Sequence, residues 1–358
     1  MTETDLDGKG NALFGVFDGH GGREVALYVA RHIKRVLVES DKYRGGALEE
    51  AMRDCYVALD DEMIGAEGKR ELHTLKAEED PDDGSDMLAN AAIMKLVREQ
   101  LQARLAEGEA EGGDGEPRRI TLTVDPAALL AGGEGGEDPV RPDVEMEEGG
   151  GNLIRATLED APPGDDADDG AAGPGEDEED VSSAGCTAVC ALVAGDKLIV
   201  ANAGDSRAVL SRGGRAIALS RDHKPTDEDE HARITAAGAT VSEGRVNGAL
   251  NLSRALGDME YKYKEGLAPE EQAITCVPEM KVLDLDPSDD FLLLACDGIW
   301  DVMENQEAVD FVRERLAEGK DPVAICEEMC DFCLAPDTAG TGKGCDNMTA
   351  MVVVLKKR

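Results

Sequence analysis

Apolar residues fall in two rhythms along this chain, and each change of rhythm marks an element. Leu13, Phe14, Val16 and Phe17 form a dense apolar run that predicts a buried strand. Val25, Tyr28, Val29, Ile33, Val36 and Leu37 then recur at helical spacing. A second amphipathic helix is predicted over 47–62, where Leu48, Met52, Cys55, Tyr56, Leu59 and Met63 keep the same period. After a long polar interval, strands are predicted over 186–194, 197–203, 208–211 and 215–219, the first two joined by the turn Gly195-Asp196. Thr226-x-x-Asp229 opens a short helix that Gly238 closes. Strands over 274–285 and 291–295 follow, then helices over 305–317 and 323–334. The last helix carries Cys326, Cys330 and Cys333, a spacing some iron–sulfur enzymes use. Sharing a face with Val323, they read better as core cysteines. Residues 1–10 are polar and predict no organisation.

Several of these strands meet an aspartate at one end. Ala12-Leu-Phe-Gly-Val-Phe-Asp18-Gly19-His20-Gly21-Gly22 delivers Asp18, Lys197 to Ala203 leads to Asp205, and Phe291 to Cys296 leads to Asp297. Asp346 stands just before the last apolar run, Ala350 to Leu355. One such aspartate is ordinary turn chemistry, whereas four predict convergence. Carboxylates gathered on one rim repel one another, and the common remedy is a hard divalent cation, Mg²⁺ or Mn²⁺ by type. The pattern therefore predicts a multi-metal acidic site able to activate water and clamp a phosphoryl group. Cys186 and Cys296 sit within apolar strands rather than beside an activating base, which disfavours a cysteine nucleophile.

Composition narrows the class. The 358 residues, with one tryptophan, suit one large domain or two smaller ones. A net charge of −40 argues against nucleic acid or an anionic membrane surface as a direct partner. Nine cysteines without small-domain spacing fit a reduced intracellular protein, and no apolar run nears the roughly 20 residues of a membrane span. The expectation is a soluble, intracellular monomer. Residues 80–86 are a polar breaker and 87–106 a possible amphipathic helix through Leu88, Ala92, Leu96, Leu101 and Leu105. Residues 107–180 hold 24 acidic residues, 4 basic residues and 15 glycines, too little apolar surface to offset chain entropy. They are expected to form a disordered acidic loop, either a solvating spacer or a docking site for histone-like or RNA-binding basic partners. Within it, Asp165 to Glu176 is close to a calcium-binding loop, but flanking helices are missing and Gly173-Pro174-Gly175 interrupts it. Lys356, Lys357 and Arg358 form a small basic end.

Seven segments then make a family resemblance. Phe17 to Gly22, Ser183 to Val189, Ala203 to Arg207, Asp222 to Pro225, Leu252 to Asp258, Cys296 to Asp301 and Asp346 to Thr349 resemble, in order, the motif series of the metal-dependent type-2C serine/threonine protein phosphatases. The acidic insertion, with Cys333-Leu-Ala-Pro-Asp-Thr338, is most similar to the gamma isoform of that family, which points within the nucleus-or-cytoplasm expectation to the nucleus. The resemblance implies an α+β fold, a four-layer α/β/β/α sandwich of two antiparallel sheets, formed by residues 11–62 and 182–356. Residues 63–181 would be the insertion, largely disordered from 107 to 180.

The implied activity is direct hydrolysis of phosphoserine and phosphothreonine by metal-activated water, with two or more Mg²⁺ or Mn²⁺ ions and phosphorylated, basic proteins as partners. By resemblance Asp18, the carbonyl of Gly19, Asp297 and Asp346 are metal ligands, Asp205 and Asp301 an additional weaker site, and His20 the general acid. His223 is expected to be structural, and His32, His73 and His231 to face solvent. Family members place a strand pair with an arginine and a Met-Glu-Asp run before the first motif, and this chain starts after that point. The expectation is an N-terminally truncated sandwich with an unpaired sheet edge, in which Arg254 or Lys224 replaces the phosphate-binding arginine. Two other readings stay open: a catalytically impaired binding protein that keeps the fold, and an acidic histone-chaperone-like module that needs only the loop.

Overall fold

The computed structural model describes residues 1–77, 118–123, 143–146, 153–158, 184–262, 264–336 and 342–355. The helix expected over 87–106, the calcium-loop-like stretch 165–176 and the basic end 356–358 lie outside the described residues. The chain divides into two units, Met1–Glu78 with Asp177–Arg358, and Glu79–Glu176.

The first unit is built on two antiparallel sheets. One has the order β1-β2-β3-β4-β8, with β1 Thr2–Glu3, β2 Ala12–His20, β3 Gly185–Ala194, β4 Lys197–Ala203 and β8 Glu279–Asp284. The short β7, Leu256–Gly257, also pairs with β3. The other has the order β10-β9-β5-β6, with β5 Arg207–Arg212, β6 Arg215–Ala218, β9 Asp289–Ala295 and β10 Ala350–Val354. Because strand side chains alternate, β2 sends Leu13 to one face and Phe14 and Val16 to the other. Phe14 and Val16 join Val189, Leu198 and Val200 of their own sheet and Leu210, Leu292 and Leu294 of the other in a core between the sheets.

Helices cover the outer faces. Leu13 packs under α1 Glu24–Glu39, α3 Leu48–Ile64 and α4 Ala66–Ala77, through Val29, Ile33, Tyr56, Leu59 and Leu75, with the short α2 Asp41–Arg44 between the first two helices. On the opposite side α7 Asn305–Ala317 and α8 Pro322–Cys333 cover Phe291 and Leu293 with Val309, Val312, Ile325 and Met329. Three cores in this order are the four layers of an α/β/β/α sandwich.

Local departures from the expected elements have local causes. Residues 1–10 are organised after all: Thr2 and Glu3 pair with Phe14 and Leu13, and Leu6 is buried. Helix α4 lies where the insertion was expected to begin, held by Leu72 and Leu75, too few apolar positions to signal a helix alone. The strand expected over 274–285 starts only at Glu279, because Pro278 has no N–H for the ladder. The short helix α5 Glu228–Ala236 has Asp227, not Thr226, as the residue before its first turn. On α8 the buried stripe is Ile325, Met329 and Cys333, whereas Val323 is exposed and Cys326 and Cys330 are only half buried.

In the second unit, Arg118–Thr123, Asp143–Met146 and Leu153–Leu158 form an antiparallel sheet with Leu153–Leu158 in the middle. They fall within the stretch read as a disordered loop. Arg-Ile-Thr-Leu-Thr and Leu-Ile-Arg-Ala-Thr-Leu carry a β-rich pattern that the acidic count obscured.

A buried ion pair fixes the segment that leads to the site. Lys262 Nζ lies 2.8 Å from Asp60 Oδ2 on α3 and donates to the Ala255 carbonyl at 2.7 Å, while Asp60 Oδ1 accepts the Gly257 N–H at 2.8 Å. Both side chains are more than nine-tenths buried. Lys262→Met strands the Asp60 charge, and the expected loss is about 3–5 kcal/mol, read from the urea midpoint. The double variant with Asp60→Asn should recover part of it; a single variant as stable as wild type would dismiss the clamp.

Candidate active site

Turn chemistry at the strand ends gathers the acids. Asp18 lies near the end of β2, Asp205 follows β4, and Asp297 opens the short helix α6, Asp297–Trp300, directly after β9. Gly204 makes the second delivery possible: its φ is +116°, and a Cβ there would lie 2.5 Å from Thr187 Cβ on β3. Thr187 and Ser206 hydroxyls share a hydrogen bond of 2.7 Å beneath this turn.

The acids feel one another. Burial, then the charges of Asp205 and Asp346, push Asp18 up to about 6. Burial, then Asp205, Asp18 and Asp346, push Asp297 up to about 7. Ligand atoms of Asp18, Cys296 and Asp297 all lie within 4.8 Å of one another. Carboxylate oxygens so crowded that two hold protons near neutral pH are the donor set a hard divalent cation requires, so the residues present fit Mg²⁺ or Mn²⁺. Asp346 is exposed, with its carboxylate accepting the Asn347 N–H at 2.8 Å. Asp301 is exposed at the end of α6, near enough to act on Asp297 electrostatically. The exposed Gly19 follows Asp18 on β2.

Asp205 is buried and already has a cation beside it, the ammonium of Lys224. Burial opposes the Lys224 charge, but Asp205 and Asp297 outweigh it and raise the group. Of the two cations expected to meet phosphate, Lys224 is thus at the rim and Arg254 is not. Arg254 donates to Glu230 Oε1 at 3.0 and 2.5 Å and to the Val277 carbonyl at 3.2 Å, locking α5 to the segment before β8. Burial alone would raise Glu230, yet Arg254 and Arg233 hold it down to about 2. Arg254 is therefore a structural residue here, because its donors are committed to a buried carboxylate.

His20 closes the arrangement. Its Nε2 lies 2.7 Å from Asp258 Oδ2, and an ionised carboxylate only accepts, so Nε2–H donates. Asp258 is buried and sits in the left-handed region at φ +49°, directly after β7. Between the two side chains runs Gly185 of β3, flanked by His20 on one side and Gly257 on the other. A Cβ on Gly185 would lie 2.3 Å from Asp258 Oδ2 and 2.6 Å from His20 Nε2, so only glycine leaves room for the pair. Asp258 is the residue that sequence reasoning left without a role. Its signal was the Gly257-Asp258 pair, the same pattern as Gly204-Asp205. His223 is fully buried with Nδ1 3.0 Å from the Gly204 carbonyl; His32 is half buried at 2.9 Å from Glu71, and His73 and His231 are exposed.

The family model Protein phosphatase 2C matches residues 4–103 and 156–342. This chain belongs to the protein phosphatase 2C family. It is similar to "Probable protein phosphatase 2C 21" of Arabidopsis thaliana, 39% identical over 353 residues, 99% of this chain and 81% of that protein. It is also similar to "Protein phosphatase 1G" of Bos taurus, 33% identical over 99% of this chain and 84% of the relative. Among solved structures, a phosphatase from Toxoplasma gondii superposes with a TM-score of 0.55 at 22% identity, covering all of this chain and 87% of the other. The two-sheet sandwich is the fold of the phosphatase 2C family.

The raised acids give a pH dependence of defined sign. In the metal-free phosphatase the fold holds protons on Asp18 and Asp297 that the unfolded chain releases near 3.8, so these groups lose the fold stability as pH rises through about 6 and about 7. Thermal denaturation in chelator should show wild type losing more stability than Asp297→Asn between about pH 5 and about pH 8. Mn²⁺ should stabilise wild type most at the higher pH; parallel profiles for the two proteins would contradict the crowding.

Proposed function

We propose that this phosphatase hydrolyses phosphoserine and phosphothreonine in proteins with a metal-activated water, and the convergence of Asp18, Asp205, Asp297 and Asp346 carries the reading. Asp18, the Gly19 carbonyl, Asp297 and Asp346 would hold two ions, with Asp205 and Asp301 as an additional, weaker site. When bound, Mg²⁺ or Mn²⁺ supplies a water of lowered pKa and neutralises charge on the phosphoryl group. Lys224 adds a positive charge to the rim. Asp258 restrains the imidazole of His20, which gives its proton to the departing seryl or threonyl oxygen. The crowding of 24 acidic residues into 107–180 supports basic phosphoproteins as substrates, attracted by charge. The commitment of Arg254 to Glu230 favours the second reading, a binding protein with impaired chemistry, and the same assay decides between them.

Release of phosphate from a phosphothreonine peptide should require Mn²⁺ or Mg²⁺ and should fall on the order of 10²-fold or more in Asp297→Asn. Activity unchanged by that substitution, or by chelator, would refute the metal-activated water. Silence in the wild type with both metals would support the binding protein.

Asp258→Asn and His20→Ala should each slow phosphothreonine hydrolysis on the order of 10²-fold while largely sparing an aryl phosphate, whose leaving group needs no proton. Equal losses on both substrates would mean that the pair is structural only.

A further inference from the structure

His223 is fully buried, and its ring lies between the turn that delivers Asp205 and Glu279, the first residue of β8. Nδ1 is 3.0 Å from the Gly204 carbonyl and 3.3 Å from the Gly204 amide. Carrying a proton, Nδ1 donates to that carbonyl; without one, it accepts from that amide, so the ring engages Gly204 in either tautomer. On the other side Nε2 faces Glu279 Oε2 at 3.6 Å, an oxygen that also accepts from Arg221 Nε at 2.7 Å. The Gly204 carbonyl further accepts the His223 backbone N–H at 3.0 Å and Nδ2 of Asn202, the next-to-last residue of β4, at 3.2 Å. Gly204 sits at φ +116°, and a glycine has more backbone freedom to lose than any other residue, so these contacts decide where the turn points.

One residue further along each segment, the Lys224 ammonium meets the Asp205 carboxylate. Consecutive rungs thus join the two segments, His223 to Gly204 and Lys224 to Asp205. We propose that His223 is a positioning residue for this rim: by holding Gly204 it aims the Asp205 carboxylate at the place where Asp18 and Asp297 gather, and so sets how well Asp205 serves a divalent cation. The inference rests on the reading of this rim as a metal site and deepens it, since it names what fixes the Asp205 ligand. His223 acts only through Gly204 and Asp205, and no change in its protonation is required. Groups that orient a ligand from behind in this way commonly alter metal affinity by about 10- to 100-fold when removed.

The test compares three substitutions in the full chain. The amide of an asparagine falls where Nδ1 stood and that of a glutamine where Nε2 stood. His223→Asn therefore keeps the bond to Gly204, His223→Gln keeps the side toward Glu279, and His223→Leu keeps neither. Mn²⁺ binding is read by electron paramagnetic resonance, with the urea midpoint of each protein beside it. Affinity for the weakest-bound ion should fall about tenfold or more in His223→Leu and His223→Gln and stay near the wild-type value in His223→Asn. In an Asp205→Asn background the same substitutions should leave Mn²⁺ affinity unchanged, because the carboxylate they aim is gone. If His223→Leu does not fold, the order of His223→Asn and His223→Gln decides alone. Losses that follow the urea midpoint instead of this order, or that persist in Asp205→Asn, overturn the positioning role and leave the metal reading standing. Failure of Mn²⁺ to bind the wild type overturns both.

Discussion

Mutual repulsion among carboxylates is the constraint on which this molecule turns. Asp18 and Asp205 are delivered by strands of one sheet, and Asp297 follows β9 while Asp346 lies in the loop before β10 of the other, so the acids meet where the two sheets lie face to face. The core of Phe14, Val16, Val200, Leu210, Leu292 and Leu294 holds the sheets together against that repulsion. Each layer of helices in turn buries the far face of its sheet, which lets the strands be apolar on both sides. Lys224 relieves part of the crowding from within.

A second constraint is rigidity at the His20 side. The pair His20–Asp258 joins residues far apart in the chain, and its geometry depends on backbone that is itself pinned. Asp60 grips the Gly257 amide and Lys262, and the Ala184 carbonyl accepts the Asp258 N–H at 2.9 Å. A left-handed aspartate costs conformational energy, and that cost is tolerated because the buried clamp leaves the chain no alternative path. The site is therefore stiff where a ring must be aimed and more open where Asp346 and Asp301 meet solvent.

Much of this was legible in the amino-acid sequence because it is local. The buried stripe of α1 and the strands that lead to Asp18, Asp205 and Asp297 depend on period and turn chemistry within a dozen residues, and these elements fall where expected. The sandwich itself followed from the ordered motifs rather than from periodicity. What stayed hidden needed two distant segments at once: Asp258 under His20, Asp60 with Lys262, and Arg254 drawn to Glu230 instead of phosphate. Charge type alone cannot say which partner a guanidinium will find. The rotated face of α8 shows a different limit, since Val323 lies in the helix's first turn, where apolar identity does not guarantee cover.

The gap over Gly185 has an evolutionary reading. With His20 and Asp258 crowding the place where a side chain would begin, the difference between an aimed imidazole and a displaced one is a single carbon atom. That atom would perturb neither the inter-sheet core nor the helical layers, which lie on other residues. A lineage can thus part with chemistry in one step while keeping its architecture, its acidic insertion and whatever associations they support. In this fold the passage from catalyst to scaffold is short, and an uncharged glycine opens it as readily as a charged residue does.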